Sequence, residues 1–187
     1  MTLIDEIIND LRTAIDSLHE SIRAAATQWD APLLEPEGPP LRRDPTDQST
    51  VEAWTPRDAA EHATLGLLLN VHFSAQLSND RLRSMADFAP AWMQRYRDGE
   101  IELPPLTTAA SATDALATVQ QRAFDLLHAL PQDALAQPAT LMPRQEDYLA
   151  QRGVANAGNA ATALQLSITH LLDHAAQIRR AIDAAPG

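Results

Sequence analysis

Two histidines one helical turn apart, His170 and His174, lie in the segment Ser167-Ile168-Thr169-His170-Leu171-Leu172-Asp173-His174. On a helix an i, i+4 pair projects from one face, so both imidazoles can reach a single metal ion. The same helix carries Leu164, Leu171 and Ile178 as its apolar residues. Polar rings on a core-facing stripe need partners, because burying them unbonded costs free energy. A metal with a third ligand from another helix meets that need, and so would hydrogen bonds to backbone carbonyls. The third imidazole is His62, eight residues after Trp54, with Asp58 one turn before it and Gly66 one turn after. Three imidazoles from two helices leave coordination positions open, the arrangement of a catalytic rather than a closed structural site.

Around this triad the residue types leave alternatives. Asp58 suits a fourth ligand, a carboxylate orienting His62, or a plain helix cap. Gln177, one turn beyond His174, suits a hold on a metal-bound water or substrate, or a polar rim. Gly66 leaves room for water or substrate, or for close helix contact. Asp173 points roughly 100° from His174 and reads as a solvated charge. His19, His72 and His128 lie off the inner stripes and read as surface or rim residues. Trp92, Met93 and Tyr96 suit either a pocket lid or a cover for a bundle end, and Trp54 a staple at a helix start.

Four segments carry the helical periodicity that would position these groups. The first runs from about Leu3 to Trp29, with Ile4, Ile8, Leu11, Ile15, Leu18, Ile22, Ala25 and Trp29 on one stripe. The second opens at Thr55-Pro56-Arg57-Asp58, a capping box with Pro at the first helical position. Its expected inner stripe is Ala59, His62, Gly66, Leu69, Phe73 and Leu77. The third starts from a Ser111 cap and ends before Pro131; the fourth runs from about Ala161 to Ala184. No strand alternation and no internal repeat appear. The expected architecture is all-α, a single domain over 1–187 built as a four-helix bundle. Its connectors are long: a Pro-rich 30–54, a 79–110 segment with a short helix around Ala91–Arg97, and a mixed 131–160. They are candidates for pocket rims or for decoration.

Composition narrows the chemistry. Cysteine is absent, which removes thiolate nucleophiles, iron–sulfur clusters and Cys-based zinc sites. Lysine is absent too, all 14 basic side chains being Arg, so Schiff-base chemistry and a Walker-type loop are excluded. A net charge of −11 opposes nucleic acid and anionic membrane surfaces. The acidic, amphipathic N-terminal segment is no signal peptide, and no apolar run reaches the ~18 residues of a membrane span. The expected location is cytoplasmic. With no evident covalent nucleophile, the chemistry open to the triad is metal activation of water or of a small external thiol.

The stretch Trp54-Thr55-Pro56-Arg57-Asp58-Ala59-Ala60-Glu61-His62 resembles the start of the second helix in DinB/YfiT-like four-helix proteins. Leu166 to Ile178, with its H-x-x-x-H-x-x-Q-I pattern, is similar to their last helix. The likeness extends to the order and spacing of all four helices, while the 79–110 segment is longer than the minimal pattern. It implies a metal triad of His62, His170 and His174 holding a divalent ion, zinc or nickel. It also implies a metal-dependent hydrolase or small-thiol S-transferase, with a small-molecule substrate or a low-molecular-weight thiol as partner, and a homodimer. The reading from a different class is a non-catalytic metal- or ligand-binding bundle with a structural or stress-related role.

Overall fold

Thr2 starts the first helix by a reciprocal cap. Its hydroxyl accepts the Asp5 N–H at 3.2 Å while the Asp5 carboxylate accepts the Thr2 N–H at 2.9 Å. The structure is a computed structural model that describes residues 2–31, 55–76 and 83–183. Helix α1 spans Leu3–Ala24 and buries Ile4, Ile8, Leu11, Ile15, Leu18 and Ile22 as the periodicity predicts. It stops one turn earlier than predicted. A tight turn at Ala26–Gln28 then redirects Trp29 into the core, where its indole N–H donates to the Leu106 carbonyl at 3.3 Å. The stripe was right and the helix end was not, because a tighter turn keeps the same residues facing inward.

Helix α2 spans Pro56–Ser74 and opens on the predicted Thr55/Asp58 box, with Pro56 at its first position. Its buried face differs from the expected one. Ala59, Ala60, Ala63, Leu67, Val71 and Phe73 are buried, whereas Gly66 and Leu69 are half-buried and His62 is exposed. The helix is apolar nearly all round, so periodicity alone could not choose its inner stripe. Leu77 and Trp54 lie outside the described residues.

The chain continues through β1 (Arg83–Ser84), α3 (Met85–Arg97) and α4 (Ala109–His128). After a 3₁₀ turn at Ala134–Ala136 come β2 (Ala139–Thr140), α5 (Pro143–Gln151) and α6 (Ala160–Asp183). The cap of α4 is Thr108, not Ser111; Ser111 is its reciprocal partner three residues on. Helix α3 begins six residues before the expected Ala91, from a Ser84 cap, and carries Pro90 inside it.

The fold is all-α, with a single two-residue parallel pair, β1 with β2, among the described residues. Helices α1 and α2 each pack against both α4 and α6. Helices α2 and α6 run antiparallel, since His62 meets His174, Asn70 meets Ser167 and Ser74 meets Ala160 along their seam. The main core lies between these four helices. A smaller cluster of Phe73, Met85, Ala89, Ala139, Leu141, Leu149, Ala163 and Leu166 lies beneath the connectors. The connectors beyond residue 83 are therefore packed structure. Buried Arg83 ties them to α2, donating to the Ser74 carbonyl at 2.7 Å and to Gln137 Oε1 at 2.8 Å. A cation at a helix C-terminus also complements the helix dipole. No helix among the described residues is long and apolar enough to cross a membrane.

Candidate metal centre

The antiparallel seam of α2 and α6 brings together the three histidines singled out by spacing. His62 comes from the second turn of α2, and His170 and His174 from consecutive turns of α6. One donor nitrogen from each lies within 4.8 Å of the others. Ring centroids are 4.5 Å apart for His170–His174, 4.8 Å for His62–His170 and 5.4 Å for His62–His174. His174 is buried, His170 half-buried and His62 exposed, so the group opens to solvent on its α2 side.

Hydrogen bonding aims the pair on α6. The Gln177 amide oxygen lies 2.8 Å from His174 Nδ1 and accepts its N–H, which leaves the His174 Nε2 lone pair turned inward. That Nε2 is 3.0 Å from His170 Nε2. Two imidazole nitrogens on one tetrahedral ion at ~2.1 Å would stand about 3.4 Å apart, so small side-chain adjustments suffice to seat an ion between them. Gln177 is thus a positioning residue for a ligand, the kind of outer partner that fixes a histidine's tautomer.

The electrostatics favour ligand chemistry. Burial pushes His170 well below the ordinary histidine range, reinforced by His174, His62 and Arg152. Burial likewise takes His174 down to about 4, with His62 adding to the shift and Gln177 and Asp173 opposing it. Both rings are therefore neutral at neutral pH, the form that binds a metal. His62, His170 and His174 can hold a metal ion; no fourth His, Asp or Glu joins them among the described residues.

Gly66 has a defined role. A Cβ at that position would stand 3.2 Å from His170 Nδ1, so the missing side chain makes room for the imidazole itself. The space anticipated for water or substrate is filled by the His170 ring. Asp58 is turned to the helix start, its Oδ2 accepting both the N–H and the hydroxyl of Thr55 at 2.9 Å. It stands outside the group of mutually close donors.

Other expectations need correction. Asp173 is no free surface charge: it accepts the Tyr148 hydroxyl at 2.6 Å and pairs with Arg152. Arg152 in turn lies over the Tyr148 ring at 3.6 Å, and that ring meets the His170 edge with centroids 6.1 Å apart. Burial and the bond to Asp173 push the Tyr148 phenol up, so it remains a protonated donor. His72 is not a plain rim residue, since its Nδ1 accepts the Trp92 indole N–H at 2.8 Å. His19 is buried on α1 rather than exposed. His128 is exposed as expected. Trp92 is buried and stacked on Tyr96, which answers better to covering the bundle than to a lid over the histidines.

Reasoning from spacing missed Asn70 and Ser167, which bond at 2.8 Å in the buried seam below His170. A signal existed: Asn70 continues the four-residue series His62, Gly66, Asn70 as a polar residue in an apolar helix. Tyr148 and Arg152 had no such signal, because they reach α6 from a separate connector.

The chain matches no family model, no curated protein and no solved structure. The site rests on its own geometry.

Proposed function

We propose that the chain is a metal-dependent enzyme built as a DinB/YfiT-like four-helix bundle of α1, α2, α4 and α6. In this reading His62, His170 and His174 hold zinc or nickel, and the reaction is hydrolysis or S-transfer with a small thiol. The observation that carries it is the convergence of three imidazoles from two helices, the buried His170 and His174 held neutral, with no fourth His, Asp or Glu in the group among the described residues. A closed structural site would show four. When bound, the metal would supply Lewis-acid polarisation of a substrate oxygen or sulfur.

The chain's own residues then do three things. Gln177 holds the His174 tautomer that presents Nε2 inward, and Gly66 admits the His170 ring. The Tyr148–Asp173–Arg152 group closes one side of His170 and limits water there. His62 is the exposed member of the three, and in this reading a small substrate approaches from its side.

The deciding experiment is elemental analysis of protein stripped with chelator and reloaded with zinc or nickel, beside the His62→Ala and His174→Ala variants. The expected outcome is a single ion per chain in the parent and background metal in both variants. Unchanged metal content in either variant would remove the triad. Fully loaded protein inert toward ester, amide and thiol-transfer substrates would favour the non-catalytic metal-binding reading instead.

A further inference from the structure

Below the histidines the α2–α6 seam carries one more polar pair, and half of it is unbonded. The four-residue series His62, Gly66, Asn70 runs along the face of α2 that meets α6, where the three residues stand against His174, His170 and Ser167 in turn. Asn70 is 4% exposed and Ser167 1%. The Asn70 Nδ2–H donates to the Ser167 hydroxyl at 2.8 Å, while Asn70 Oδ1 is buried and meets no donor among the described residues. A buried acceptor without a partner is costly, and apolar residues of the same shape at both positions would pack there without that cost. The amide oxygen therefore points to a donor that belongs to another state of the neighbouring histidines.

His170 provides one. His174 donates its Nδ1–H to Gln177, so its Nε2 is an acceptor. His170 Nε2, 3.0 Å away, carries the proton of the bond between the two rings. His170 Nδ1 then holds a lone pair and faces α2 at Gly66, where a Cβ would stand 3.2 Å from it. Ligation through Nε2 reverses these roles, because a nitrogen that gives its lone pair to a metal cannot keep its proton. The Nε2 proton leaves, Nδ1 takes one up, and the ring stays neutral with no net change in protons. The resulting Nδ1–H arises beside Gly66, one turn of α2 from Asn70 and one turn of α6 from Ser167. Residues one turn apart have Cβ atoms about 5–6 Å apart, a gap that rotation about the two side-chain torsions of Asn70 can close. Ser167 keeps hold of the amide throughout, since a hydroxyl both donates and accepts.

Resting on the metal site proposed above, we infer that Asn70 is a positioning residue for His170: in the loaded protein its Oδ1 accepts the His170 Nδ1–H, as Gln177 accepts that of His174. Each ligand on α6 then has its own outer acceptor, one from α6 and one from α2. The second ties ligand geometry to the register of the two helices.

The full chain, isotopically labelled at histidine and stripped with chelator, is titrated with zinc and followed by proton–nitrogen correlation of the imidazole rings, which distinguishes Nδ1–H from Nε2–H. In the parent the His170 proton should move from Nε2 to Nδ1 as a single ion per chain binds, and the new Nδ1–H should exchange slowly with water. Asn70→Leu should keep that stoichiometry but bind zinc about 10- to 100-fold more weakly. Its His170 Nδ1–H should exchange fast while the His174 signal stays unchanged, a distinction that general loosening of the seam would not produce. Asn70→Asp retains an acceptor oxygen and should restore both the affinity and the protected His170 signal. A His170 that keeps Nε2–H in the zinc-loaded parent overturns the role given to Asn70, and this is read without any variant, so it holds even if Asn70→Leu fails to fold. Unchanged affinity and exchange in Asn70→Leu, or no recovery in Asn70→Asp, would overturn it equally. All these outcomes leave zinc bound to the parent; a parent that binds none would instead remove the metal site itself, and the role of Asn70 with it.

Discussion

Gln177 and Gly66 decide whether three histidines become a ligand set. Replacing Gln177 by Leu removes the amide oxygen that accepts His174 Nδ1–H and loosens the hold on its tautomer. Loss of such an outer partner typically lowers metal affinity about 10- to 100-fold; competition titration against a chromophoric chelator should show that loss, with stoichiometry retained. Gly66→Ala sets two effects against each other. Alanine gains about 1 kcal/mol of helix propensity over glycine, yet its Cβ would crowd His170 Nδ1 at 3.2 Å. The metal-free variant should melt no lower than the parent while its metal affinity falls, and an unchanged affinity would show that the ring has room to spare. That His170 and His174 share a face was readable from spacing alone, since i, i+4 geometry is local to one helix. The neighbours were not. Gly66 faces His170, and Tyr148 flanks it, only because of an inter-helix register that no single segment encodes.

At the scale of elements, local chemistry and long-range packing separate cleanly. The capping boxes at Thr55 and the long apolar helices were legible because each is written within a few consecutive residues. Ser111 misled because a Ser can serve a capping box at either end, as the cap or as the third residue, and only Thr108 settles which. The β1–β2 pair and α5 were illegible: a two-residue parallel pair has no periodicity, and α5 spans nine residues. Of the three roles open to Asp58, capping and metal ligation can be told apart by experiment. Its bonds to Thr55 make it a cap, so Asp58→Ala should cost about 1 kcal/mol of unfolding free energy and leave metal stoichiometry at the parent value. A drop in metal content would return Asp58 to the ligand shell. Tyr148→Ala tests α5 in the same spirit. It removes both the ring against His170 and the hydroxyl bond to Asp173, so amide exchange across 143–151 should accelerate. Exchange in α1 should change less, because α5 packs on α6 rather than on α1.

For the molecule as a whole, the buried histidines couple folding to pH. The sign follows from which state takes up protons. Unfolded histidines protonate near ~6.5, whereas in the fold burial holds His174 near about 4 and His170 lower than the ordinary range. Burial also lowers His72 and His19. As pH falls through 6.5 the unfolded chain binds protons that the native chain refuses, so stability is lost in acid and is complete above the unfolded value. Each such group contributes a slope of up to about 1.4 kcal/mol per pH unit. For His174 the window runs from about 6.5 down to about 4, which amounts to roughly 3 kcal/mol. Urea unfolding of chelator-treated protein between pH 7.5 and about 5 reads this above the range where most carboxylates titrate. A His174→Gln variant supplies the comparison, because it keeps a polar side chain in the seam but cannot titrate. The parent should lose stability more steeply than the variant by close to one proton's slope. Parallel profiles would mean that His174 already protonates in the folded chain, and the neutral ligand pair inferred from its burial would go with it.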